Sequence, residues 1–148
     1  MTQKDDNFLI FGEYFKLIQD NIKRMNKNSF LIKAWSISIF AGIFVLTYSF
    51  MNIIIMFMTI FIINIFWALD SYYLGLERLF RLIYNKKVEE FNSENSRIKM
   101  KIFEININKY KNEVKHFTKI MFSKSEFLFY ISLIIIIILF SLLISIFK

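Results

Sequence analysis

Arg78 and Arg81, with Lys111 and Lys115 further along the chain, are the side chains best suited to chemistry on an anion. Lysine and arginine neutralise phosphate oxygens, and an aromatic ring beside them can stack a nucleobase. Tyr73 and Tyr84 supply such rings close to the two arginines. Asp70, Tyr73, Glu77, Arg81 and Tyr84 recur at three- and four-residue steps, which puts them on one face of a helix with Arg78 beside them. Glu77 and Arg81 form a favourable i,i+4 ion pair on that face. The residue types fit a polyanion such as a nucleotide or a short single-stranded DNA oligomer, with Asp70 and Glu77 at a pore mouth. They also fit interfacial tyrosines and snorkelling arginines where a helix leaves a bilayer. Both readings stay open at the level of sequence.

Other chemistry is excluded by what the chain lacks. There is no cysteine, so disulfides, thiolate metal sites and cysteine nucleophiles are all absent. The one histidine, His116, sits among lysines with no second ligand nearby. The three glycines, Gly12, Gly42 and Gly75, are too scattered for a phosphate-cradling loop. Carboxylates are sparse, and no set of groups converges as catalysis requires. The expectation is a protein that is not an enzyme and carries no cofactor and no metal.

The elements that must position the candidate residues follow from composition. Hydrophobic residues make up 56% of the 148-residue chain, yet its formal charge is +7. Apolar and basic stretches must therefore be segregated. Three stretches are long and nearly free of charge, at 30–50, 53–69 and 127–147. A bilayer core of about 30 Å needs roughly 20 apolar helical residues, so each reads as a transmembrane helix, with Lys33 snorkelling in the first. The first begins after a charged arm and lacks a small-residue cleavage site, so it is not read as a signal peptide. The uncharged link at Ser49–Asn52 makes the first two an antiparallel hairpin. Five basic residues precede the first stretch, Lys33 lies at its start and twelve lie between the second and third, so the positive-inside rule puts the N-terminus in the cytoplasm. The fold class expected is a mainly α membrane protein with three transmembrane helices, an amphipathic arm at 1–29 and a basic cytoplasmic insertion at 70–125. The localisation expected is a bacterial inner membrane, in contact with the lipid bilayer.

In the arm, Phe8, Phe11, Phe15, Ile18, Ile22 and Met25 form a heptad-like stripe. It packs on the chain's own loop or lies at the membrane interface, or else it is a seam with another subunit. Helical periodicity runs on from the second span through Tyr84 and toward Glu90. After a polar break at Asn92–Ser96, the alternation from Arg97 to Ile107 reads as one bulged strand or two short ones. A lone strand is marginal in water, which favours pairing with a second copy. From Lys109 to Lys124 the spacing is helical again, with Tyr110, Val114, Phe117 and Met121 on an apolar stripe. Asn64 lies within the second span, where an unpaired amide is costly. It either bonds a neighbouring serine or joins an asparagine ring about an oligomer axis, at a gate.

Three groups of residues carry a family resemblance. They are Asn28-Ser29-Phe30-Leu31-Ile32-Lys33-Ala34-Trp35; Phe66-Trp67-Ala68-Leu69-Asp70-Ser71-Tyr72-Tyr73-Leu74 with Glu77-Arg78-Leu79-Phe80-Arg81 and Tyr84; and Phe122-Ser123-Lys124 with Phe129-Tyr130. Together they resemble the SLATT-type family of small bacterial transmembrane anti-phage effectors, including the membrane effectors of the Hailong defence system. The resemblance implies an oligomeric ion channel, a tetramer in the Hailong case, encoded beside a nucleotidyltransferase. It further implies that a short oligodeoxyadenylate on the cytoplasmic side holds the channel closed, and that its loss depolarises the membrane. The alternative on the residues alone is a non-channel membrane anchor or subunit that recruits a soluble partner through the arm.

Overall fold

A computed structural model describes residues 3–50, 53–93, 105–114 and 116–147. Two long helices open the chain, α1 at Gln3–Phe50 and α2 at Ile53–Asn92. Two short ones follow, α3 at Ile107–Tyr110 and α4 at Phe117–Met121, with a 3₁₀ turn at Lys111–Glu113 between them. The last helix, α5, runs over Lys124–Phe147. The chain has no proline, so nothing removes a backbone donor inside helices of 48 and 40 residues. Gly75 is passed without a break.

The chain divides into two compact units. Unit 1 comprises Met1–Lys27 and Leu74–His116, and unit 2 comprises Asn28–Tyr73 and Phe117–Lys148. Both long helices contribute to each unit, so the expected boundaries at 29/30 and 69/70 are not ends of secondary structure.

Unit 1 is built on the heptad-like stripe. Phe11, Tyr14 and Ile18 of α1 are buried against Leu79 and Ile83 of α2 and against Tyr110. Phe15, Ile22, Tyr84 and Phe91 pack around them. Phe91 meets the edges of Phe11 and Phe15 at 4.8 and 5.8 Å between ring centres. Of the readings of the stripe, the structure uses the intramolecular one for Phe11, Phe15, Ile18 and Ile22.

Two expectations for the insertion are corrected. Among the described residues there is no strand. Ile107 opens α3 instead, because the Asn106 side chain accepts a hydrogen bond from the Lys109 amide at 3.2 Å. That local cap satisfies a donor that a strand would need a partner chain to satisfy. The Arg97–Glu104 part of the expected strand lies outside the described residues. The single helix expected over Lys109–Lys124 is also broken. Val114 is extended, at φ −83° and ψ 144°, a conformation its β-branched side chain favours. Tyr110 joins the core of unit 1, whereas Met121 packs into that of unit 2.

Unit 2 joins the apolar parts of α1, α2 and α5. Its core is Ile63 and Trp67 of α2 with Tyr130, Leu133 and Ile137 of α5, flanked by Phe40 of α1. Among the described residues, two helices are long and apolar enough to cross a membrane, within Ile54–Asn92 and Lys124–Leu143.

The stability of unit 1 should follow burial rather than hydrophobicity. Ile18→Ala or Ile83→Ala, both fully buried, should each cost about 2–5 kcal/mol. Leu9→Ala, at a 60% exposed site, should stay within about 0.5 kcal/mol. Hydrogen exchange across residues 74–92 checks this, with protection lost in the first two variants and kept in the third.

Candidate functional site

Three helix faces converge at one end of the unit 2 core. On α1, Ser29, Lys33 and Ser36 recur at steps of four and three. On α2, Ile63, Trp67 and Asp70 do the same, and on α5 Glu126, Tyr130, Leu133 and Ile137. Such steps put residues in line on a helix. Each line is apolar along much of α2 and α5 and ends in a charged or hydroxyl group.

Those ends meet. The Lys33 ammonium bonds a carboxylate oxygen of Asp70 and, at 2.9 Å, Oε1 of Glu126. Asp70 is fully buried, and both its oxygens are used. Oδ1 accepts from the Ser29 hydroxyl, while Oδ2 accepts from Lys33 and, at 2.9 Å, from the Tyr130 hydroxyl. Lys33 also donates to Ser29 at 3.3 Å. Glu126 is 2% exposed, and its Oε2 has no partner. Trp67 closes the cluster from below. Its ring stacks on Tyr130 at 5.8 Å between centres, and its Nε1 donates to the Met121 carbonyl at 3.0 Å.

Charge at this point is concentrated. Unit 2 contains two acidic residues in its sequence, Asp70 and Glu126, and both close on the same lysine. Burying ions is expensive unless they are paired and their remaining lone pairs bonded. Asp70 meets that requirement and Glu126 meets it by half. Glu126 also lies in the first turn of α5, where the helix dipole favours a negative or hydrogen-bonding group.

The residues anticipated as ligand-binding or gating are distributed over both units. Asp70 and Tyr73 belong to unit 2, and Tyr73 packs edge-on to Tyr72 at 5.6 Å. In unit 1, Arg81 and Glu77 form the expected pair at 2.6 Å, with the arginine side chain 60% exposed. Arg78 is half-buried on the same helix. The Tyr84 hydroxyl is taken by Gln19 at 3.0 Å, and its ring packs into the core against Phe15. Lys111 is exposed on the 3₁₀ turn, and Lys115 lies outside the described residues. Asn64 is exposed and donates to the Ile60 carbonyl one turn back at 2.8 Å. Within the chain, that carbonyl takes the place of the serine partner considered for it.

Four members of the buried cluster were not anticipated: Ser29, Lys33, Glu126 and Tyr130. The available signal was the position of Lys33 and Glu126 at the ends of apolar stretches, in a region whose sequence holds just one other carboxylate. The chain matches no family model, no curated protein and no solved structure.

Removing the shared cation should be more damaging than removing one carboxylate. Lys33→Ala leaves two buried carboxylates facing each other and should cost about 3 kcal/mol or more. Replacing Lys33, Asp70 and Glu126 together by methionine or leucine should recover most of that loss. Thermal unfolding in detergent, followed by circular dichroism, makes the comparison.

Proposed function

We propose that this chain is a multi-span membrane effector whose basic cytoplasmic unit senses an anionic ligand and whose spans assemble with other copies into an ion-conducting pore. The observation that carries the membrane part is the outward face of unit 2. Phe57, Phe61, Ile65, Leu128, Leu139 and Leu142 are all at least half exposed on helices that pair only along their inner stripes. Only 28% and 22% of the most apolar stretches of α2 and α5 are buried. A core helix of a soluble protein would be largely covered, and apolar surface of this extent calls for lipid or another subunit. The stretch at 30–50 of α1 is taken as the third span, which with the positive-inside rule leaves unit 1 in the cytoplasm.

Unit 1 supports the sensing part through its charge. Its sequence has fifteen basic residues against ten acidic ones. Arg81 and Lys111 are exposed there, and a nucleotide or short single-stranded oligonucleotide fits those groups and the nearby tyrosines. The family resemblance further suggests an oligodeoxyadenylate that holds the pore closed, released during infection so that the membrane depolarises, with a tetramer and a neighbouring nucleotidyltransferase.

The pore, on this reading, forms between chains. The cavity inside unit 2, lined by Phe40, Met56, Thr59, Ile137 and Phe140 among others, holds about 10 Å³. That is room for about one water and not for a hydrated ion. The same close packing is what a simple membrane anchor would have, and this is the second reading.

Vesicle flux separates the two. Protein reconstituted in lipid vesicles should pass ions, and a short oligodeoxyadenylate should suppress the flux. Arg78→Gln with Arg81→Gln should abolish that suppression while leaving the fold intact, since an exposed i,i+4 pair contributes under about 1 kcal/mol. Flux suppressed equally in wild type and double variant would remove these arginines from the site. No flux, with a monomer in detergent, would favour the anchor.

A further inference from the structure

The buried cluster contains one more negative group than its cation can balance. Lys33 on α1 carries one positive charge and faces Asp70 on α2 and Glu126 on α5. The remaining polar groups turned toward it, Ser29 and Tyr130, are neutral donors. The lysines of the neighbouring segment, Lys119 and Lys124, are exposed. Two ionised carboxylates here would leave an uncompensated negative charge in a nearly dry site, which is far costlier than a neutral carboxyl group.

The two carboxylates are not equivalent. Asp70 accepts three hydrogen bonds over its two oxygens, the environment of an ionised group. Glu126 accepts one, on Oε1, and its buried Oε2 has none. Both carboxylates bond the same Lys33 ammonium, which brings the Glu126 and Asp70 carboxyl groups side by side. A hydrogen on Oε2 would turn two facing acceptors into a donor and an acceptor and would balance the charge count.

We propose that Glu126 binds a single proton on its unpartnered oxygen and shares it with Asp70, so that the cluster is a proton-binding site holding α1, α2 and α5 together. Loss of that proton sets two carboxylates against each other and loosens α5 from the other two helices. The site does not depend on the chain conducting ions or binding a nucleotide.

Infrared spectroscopy of the purified full-length protein at neutral pH tests this without any substitution. A protonated-carboxyl C=O band should be present, should shift when glutamate is supplied ¹³C-labelled at its carboxyl carbon, and should be missing in Glu126→Gln. Thermal unfolding across pH gives a second readout. An exposed glutamate in the unfolded chain is already ionised above about pH 4.3, so at neutral pH unfolding releases a proton that the folded chain holds, and stability should fall as pH rises until the folded chain releases it too. Glu126→Gln keeps the acceptor for Lys33 and can donate permanently to Asp70, so it should fold and lack that fall. A neutral-pH spectrum with no protonated carboxyl would overturn the proposal, as would the same alkaline loss of stability in Glu126→Gln.

Discussion

Two buried carboxylates closing on one lysine form the constraint around which unit 2 is arranged. Lys33, Asp70 and Glu126 come from three different helices, and the cost of burying any one of them alone would be prohibitive. The helices must therefore meet in the register that lets all three touch. Apolar packing follows from that register. Trp67 lies one turn before Asp70 and Tyr130 one turn after Glu126, so the ion cluster and the stacked rings are set by the same alignment. Hydrophobic contacts tolerate sliding, whereas a buried ion pair does not. Polar specificity and apolar cohesion thus divide the task between them.

Unit 1 uses a different balance. Its core is aromatic and aliphatic, with Tyr14, Ile18 and Ile83 fully buried, and its ion pairs lie at the rim. Arg81, Lys86 and Glu113 retain exposed atoms, whereas Glu77 and Lys87 are buried. Pairs with exposed cations, Arg81 and Lys86 here, add little to stability and leave those cations open to exchange for a stronger anion. That property suits a surface proposed to exchange an anionic ligand, and it separates the energetics of sensing from those of folding. In unit 2 Lys33 and both carboxylates are committed to structure, and many large apolar side chains are exposed.

The asymmetry between Asp70 and Glu126 matters for how the two units could differ in response. Asp70 has three donors over its two oxygens, so its lone pairs are met by fixed neighbours. A carboxyl with an empty oxygen against another acceptor has two alternatives that lie closer together in free energy. Placing the second kind in the first turn of α5 puts the less committed group on the helix most easily separated in sequence from the α1–α2 pair.

Much of the architecture was legible in the residues. Long apolar stretches without proline dictate long helices, and the steps of Phe11, Phe15, Ile18 and Ile22 dictate which face of α1 is buried. The continuation of α2 through Tyr84 toward Glu90 followed from periodicity, and the helix ends at Asn92. Charge segregation between the units is likewise a property of composition. Local signals failed where a neighbour outvoted them. The alternation up to Ile107 reads as strand, yet among the described residues Ile107 opens a helix capped by Asn106, and Arg97–Glu104 lie outside them. The lysine-rich segment reads as one helix, yet Val114 is extended and its flanks pack in different cores. Asn64 reads as a group in need of a side-chain partner, and within the chain its amide donates to a carbonyl one turn back instead. The cluster itself was beyond reach, because Lys33, Asp70 and Glu126 lie 37 to 93 residues apart, and nothing in a one-dimensional pattern states which ends of three stripes will meet. Sequence determines what each helix must bury; only the packed structure decides which buried charges share a counterion, since that depends on distances of a few ångströms between segments remote in the chain.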